Sequence, residues 1–268
     1  MASLDWIEGA LQGILPTLWM TFGVGLPWAY ALISTKQWHL RPMITAVALA
    51  IGPAWITAWM LVLGIIGAQL HQRLFTPEWI LGGSLVIAVV GLSIALRKRK
   101  HRPVQAPTSH PLAFDEKLII GMIALAVVIR WIHTAFWTFT AYDALWVYGF
   151  QGRLYFLEGF IPHSIDYYPQ FVQLQYTYVQ VLIGAMNDHA ARMVIPMMHI
   201  GSILAAYLLG ERLFNRRVGL FVAALWSLHP YVGQWSFIGD LEIPLTFSFT
   251  MASTFSCPHG WKKRMGVC

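Results

Sequence analysis

Charge is scarce in this chain: Asp, Glu, Lys and Arg make up 11% of its 268 residues, against about 25% in soluble domains. A water-soluble fold of this size needs more polar side chains to cover its surface, so that class is excluded. Cysteine is scarcer still. Cys257 and Cys268 both lie at the extreme C-terminal end, which excludes a disulfide framework or a paired-cysteine metal site running through the fold. A phosphate-cradling glycine loop is missing too, because Gly82 and Gly83 fall inside an apolar run, where small residues let helices approach closely. No paired-histidine spacing is present: His199 and His229 are lone histidines in apolar segments and read as packing residues.

What the chain has in abundance is apolar and aromatic surface. Hydrophobic residues reach 57% and mean hydropathy is +0.57, which excludes disorder and points to an all-α polytopic membrane protein. Its 13 Trp, 15 Phe and 10 Tyr suit a chain with many bilayer interfaces. The net charge of +6 does not indicate nucleic acid, since the basic residues form short clusters beside apolar runs. They read as topology signals. The N-terminal MASLDWIEGA is acidic and the run after it is long, so no cleavable signal is expected.

A helix crosses about 30 Å of hydrocarbon with roughly 20 apolar residues. By that ruler, residues 1–100 hold three spans, at roughly 10–34, 43–69 and 79–96. A basic, proline-containing linker follows over 101–114, and positive-inside charge places Arg97, Lys98, Arg99, Lys100 and Arg102 in the cytoplasm. Residues 115–256 form a second membrane region, whose first span, 117–137, delivers an outer loop of about 138–188. Only one of the runs 171–186 and 190–210 can span if Arg216 and Arg217 are cytoplasmic. The shorter, with its three Gln, is expected to lie on the outer leaflet as an interfacial helix. A further span over 218–235 and a partial one after Glu242 bring the expected total to about six spanning helices plus a partial seventh. The basic tail 257–268 departs abruptly in composition and is expected to mark a cut or a change of reading frame near Ser256.

Acidic residues number 12, and the outer segments hold the informative ones: Asp143, Glu158 and Asp166 in the long loop, and Asp240 with Glu242 at the next outer turn. Glu158 and Asp166 read as solvated loop charge. Asp143 and the Asp240/Glu242 pair could act as a general base or hold a divalent cation, since carboxylate oxygens suit Mg²⁺ or Mn²⁺. Arg130 and His133 lie inside an apolar run, where an ionisable group is costly unless paired.

The strings YDALWVYGFQGRLYFLEGFIP and YYPQF, then DHAARMVIPMMHIGSILAAYLLGERLF and GDLEIPLTF, occur in an order that resembles the N-terminal part of GT-C fold glycosyltransferases of the protein mannosyltransferase and aminoarabinose transferase type, family 39-like. The match covers roughly 115–256 and leaves out the first hundred residues. Where that family often has Asp-Glu, this chain has Asp143-Ala144; where it has Lys-Pro-Pro, Tyr167, Tyr168 and Pro169 stand. The resemblance implies a polyprenyl-phosphate sugar donor and a lipid, glycan or protein acceptor at the outer face of a plasma or inner membrane, with inversion at the sugar carbon. Asp143 takes the place of the family's base. Either Asp240 or Glu242 supplies the second acid, and Arg153 or Arg192 would steady the lipid phosphate, with His163 and Tyr168 nearby and His189 a weaker candidate. Family members continue into many more spans, so a chain ending here is expected to be incomplete and inactive. The alternative is a non-catalytic membrane scaffold or lipid-binding subunit, or a transporter fragment.

Overall fold

The computed structural model describes residues 5–38, 40–99, 111–163 and 169–256; the expected basic linker and the atypical tail lie mostly or wholly outside them. Among the described residues the chain is all helix, without strands. Its α-helices are α1 (Asp5–Leu18), α2 (Gly25–Leu32), α3 (Arg41–Leu70), α4 (Pro77–Arg99), α5 (Phe114–Phe136), α6 (Phe150–Glu158), α7 (Phe171–Ile183), α8 (Asp188–Ala191), α9 (Val194–Leu213), α10 (Arg216–Leu228), α11 (Pro230–Ile238) and α12 (Glu242–Ser256). Two π-helical segments, Trp19–Val24 and Ala144–Gly149, join α1 to α2 and lead into α6.

Four stretches are long and apolar enough to cross a bilayer: Arg41–Leu70, Pro77–Arg99, Phe114–Phe136 and Asp188–Leu213. Each coincides with an expected span. The protein is therefore membrane-embedded and all-α. The first expected span is also helical from its start to Leu32, with a π-helical stretch over Trp19–Val24 between α1 and α2.

Two expectations are corrected. The run 218–235 is not one straight helix: it breaks between α10 and α11 at His229, whose backbone is extended because Pro230 follows. The run 171–186 does not lie on a surface with its glutamines in water. As α7 it is buried on every side from Val172 to Val181, against α1, α3 and α6. Internal hydrogen bonds offset part of that burial, while both side-chain ends of Gln180 and the Tyr178 hydroxyl are without a partner among the described residues. Gln173 donates to the Gln151 side chain at 2.9 Å, Thr177 to the Gly152 carbonyl at 3.0 Å, and Tyr176 to the Gly239 carbonyl at 2.7 Å.

One apolar core runs from Met20 to Met251, so the N-terminal helices share it with the later ones. α1 approaches so closely that a Cβ on Gly13 would overlap the Ala190 backbone of α8. At the opposite, basic end, Arg216 forks onto Glu116 (2.9 and 2.6 Å) and Arg217 pairs with Asp115, joining the start of α5 to the start of α10. The ends of α5 and α11 consequently emerge together at the far end of the bundle, where the outer acids lie.

Candidate functional site

The site forms around the turn between α11 and α12. α11 stops at Gly239, whose φ of +97° is a left-handed conformation that favours glycine. A Cβ there would also sit 2.9 Å from the Tyr176 hydroxyl. Because that hydroxyl donates to the Gly239 carbonyl, the chain turns inward at the next residue, and Asp240 is only 9% exposed. Its Oδ1 has no hydrogen-bond partner among the described residues. The carboxyl borders a cavity of ≈ 10 Å³ between Val172, Gln175, Tyr176, Ile195 and Trp235, room for about one water molecule. Burial pushes the Asp240 carboxyl up to about 7, and the charges of Glu242 and then Asp143 push the same way.

That electrostatic coupling brings together the three acids singled out by sequence. Asp143 is exposed just ahead of the π-helical turn that opens the α6 segment, and Glu242 is exposed at the first position of α12. Both lie close enough for their charges to act on the buried Asp240 carboxyl. Among the described residues, no group of three or more His, Cys, Asp or Glu side chains is placed to hold a metal ion. Asp143, Asp240 and Glu242 thus do not fit a Mg²⁺ or Mn²⁺ cage in this arrangement.

The two arginines meet at Phe139. Arg192, at 0% exposure the largest fully buried side chain, follows α8. One of its terminal nitrogens donates to the carbonyls of Trp137 and Thr138, the other to the carbonyl of Phe237. It thereby ties the start of the Asp143 loop to the last turn before Asp240. Its guanidinium carbon lies 5.6 Å from the Phe139 ring centroid, and that of Arg153 lies 5.9 Å away. Arg153, still partly exposed, grips Asp188 with both ends of its fork, Nε donating to Oδ1 at 2.9 Å.

Of the remaining candidates, His163 is exposed beyond α6, and Tyr168 lies outside the described residues. His189 contacts the Ala135 carbonyl through Nδ1 at 2.8 Å. His133 stacks on Phe237 with centroids 4.1 Å apart. Arg130 is held in its apolar surroundings by its two terminal nitrogens, which donate to Ser236 at 3.1 Å and to the Ser227 carbonyl at 2.6 Å, bridging the break between α10 and α11, while its Nε has no partner among the described residues. Gly233 leaves the space for it, since a Cβ there would overlap the guanidinium. His199 is buried beside Ser202, and His229 caps α11 by accepting the Tyr231 N–H.

Sequence reasoning missed Asp188, Tyr176 and Phe139. Asp188 carried a signal, as the only acid between Asp166 and Glu211. For Tyr176 and Phe139 nothing in the local pattern separates a bracing aromatic from a packing one. No family model, curated protein or solved structure matches the chain. Its chemistry is read from its own residues.

Proposed function

We propose that this chain is a membrane glycosyltransferase that moves a sugar from a polyprenyl-phosphate donor to a hydroxyl or amine acceptor at the extracytoplasmic face. The reading rests on the resemblance of residues 115–256 to GT-C enzymes. The observation that supports it most is that Arg192 holds the segment leading to exposed Asp143 against the segment leading to buried Asp240, so that both acids lie at one end of the bundle. It takes six crossings, with α10 and α11 together making the sixth, and α12 beginning a seventh. On positive-inside topology the acidic end then faces outward.

In the proposed reaction the acceptor oxygen or nitrogen attacks the anomeric carbon. Asp143, open to solvent, takes the acceptor's proton as the bond from sugar to phosphate oxygen breaks. The leaving group is polyprenyl phosphate, and the sugar carbon is inverted. Asp240 or Glu242 would orient the acceptor, the first as a donor while it keeps its proton and the second as an acceptor. Charge building on the phosphate calls for a nearby cation. Arg153 is the reachable one, and Arg192 acts from below by fixing the two segments that carry the acids.

One observation favours the second reading, a non-catalytic scaffold or lipid-binding subunit. Both arginines expected at the phosphate already donate to internal partners. Asp143→Asn separates the readings, because it keeps size and removes the base. In membranes supplied with a panel of polyprenyl-phosphate sugars, the longest form that the gene encodes should transfer sugar, and the same form with Asp143→Asn should fall by about 10²- to 10⁴-fold. Equal rates for the two, or no transfer from any donor, would put the scaffold in its place.

A further inference from the structure

The first hundred residues hold a second feature, remote in sequence from the acids. α3 and α4 run side by side, and between them is an open groove of ≈ 570 Å³ lined by Trp59, Glu78, Trp79, Gly82, Gly83 and Val86. Its shape follows from two glycines. Gly83 lets the Trp59 indole lie flat against α4, where any Cβ would overlap the ring, and the indole N–H donates to the Trp79 carbonyl at 3.0 Å. Among the described residues nothing lies within 4 Å of where a Cβ on Gly82 would be, so none of their side chains fills the floor. Trp79 and Val86 stand exposed along its edge.

At one end of this apolar channel is a carboxylate. Glu78 is exposed in the first turn of α4, its oxygens steadied by the Thr76 hydroxyl and its own backbone N–H. It is the only acidic residue between Glu8 and Asp115. Because α4 ends in Arg97, Lys98 and Arg99, positive-inside topology puts Glu78 at the outer headgroup level, with the groove running from it into the outer leaflet. A lone negative charge flanked by two indoles selects a cation, since both the carboxylate and the ring faces attract one. The channel below it, lined by glycine and valine, accepts a hydrocarbon chain.

We propose that the Trp59–Trp79 groove binds an outer-leaflet phospholipid with an ammonium headgroup, its charge at Glu78 and an acyl chain along Gly82 and Val86. This site stands apart from the glycosyl-transfer reading and does not depend on it.

The test uses the full chain in phosphatidylglycerol vesicles carrying a trace of chain-labelled spin-probe lipid, either phosphatidylethanolamine or phosphatidylglycerol. Electron paramagnetic resonance then gives the fraction of each probe held at the protein surface. The ethanolamine probe should be favoured by about two- to fivefold. Glu78→Gln should bring the two probes level while leaving the total held fraction unchanged, which reports an intact protein perimeter. Gly82→Leu, placed where nothing would clash, should lower the held ethanolamine probe alone. Equal retention of both probes by wild type overturns the proposal, as does an unchanged preference in Glu78→Gln. Disulfide cross-linking between copies through Gly82→Cys, in a chain with Cys257→Ser and Cys268→Ser, would also overturn it by assigning the groove to a second copy.

Discussion

Tyr176 donates its hydroxyl to the carbonyl of Gly239 at 2.7 Å, and this bond from a buried helix fixes the turn that presents Asp240. Tyr176 is itself 1% exposed, with its ring centroid 4.9 Å from that of Phe139. The hydroxyl, rather than the ring, is what addresses the acidic turn.

Tyr176→Phe keeps the ring and removes only the donor, leaving the Gly239 carbonyl without its partner. We expect a loss of about 1–3 kcal/mol, the penalty of an unsatisfied buried polar group. Thermal unfolding in detergent should show it as a lowered midpoint. An unchanged midpoint would mean that the turn holds without the bond.

Asp240 gives stability a pH dependence of defined sign. Its folded value, raised to about 7 by burial and its acidic neighbours, lies above the ordinary carboxylate value of 3.8, so the folded state binds the proton more tightly. Stability from this group is therefore fully present below pH 3.8, declines as pH rises between 3.8 and about 7, and is constant above. Asp240→Asn should remove that decline. Midpoints measured from pH 4 to pH 8 should show the variant gaining on wild type as pH rises; a parallel pair of curves would sink the assignment.

Arg192 serves three backbone carbonyls from two segments, a geometry that a single ammonium cannot reproduce. Arg192→Lys should fail to rescue what Arg192→Met loses, and both should be destabilised by about 3 kcal/mol or more, as carbonyls are left buried and unpaired. Folded yield and unfolding midpoint read the effect. A lysine variant as stable as wild type would show that charge alone suffices.

Arg153 and Asp188 form a half-buried bidentate pair, with side chains 31% and 16% exposed. A double-mutant cycle with Arg153→Met and Asp188→Asn should give a coupling of about 1–2 kcal/mol, above the range for fully exposed pairs. Coupling near zero would leave Arg153 free to act on a ligand without first releasing its partner.

Much of the scaffold was legible from length and hydropathy, because a bilayer imposes both on any helix that crosses it. α3, α4, α5 and the stretch from α8 through α9 satisfy that ruler by themselves. It failed on α7, whose glutamines read as water-facing until Gln151, Gly152 and Gly239 arrive from elsewhere to bond its side chains. It also passed over the break at His229, which a single proline makes inside an otherwise apolar run. The acids could be located because so few exist. Their environments could not, since the burial of Asp240 depends on a tyrosine 64 positions away, and the partners of both arginines lie on other segments.

The contact between Gly13 and Ala190 has a consequence for assembly. α1 is made well before the surface it fits, the Asn187–Ala190 turn, which is synthesised roughly 175 residues later. Until then its glycine face has no mate, and the segment leading to Arg192 has no backing. Closure of such a distant pair comes late and slowly, so α1, though made long before α8, is among the last elements to be locked, and the acidic end waits for it.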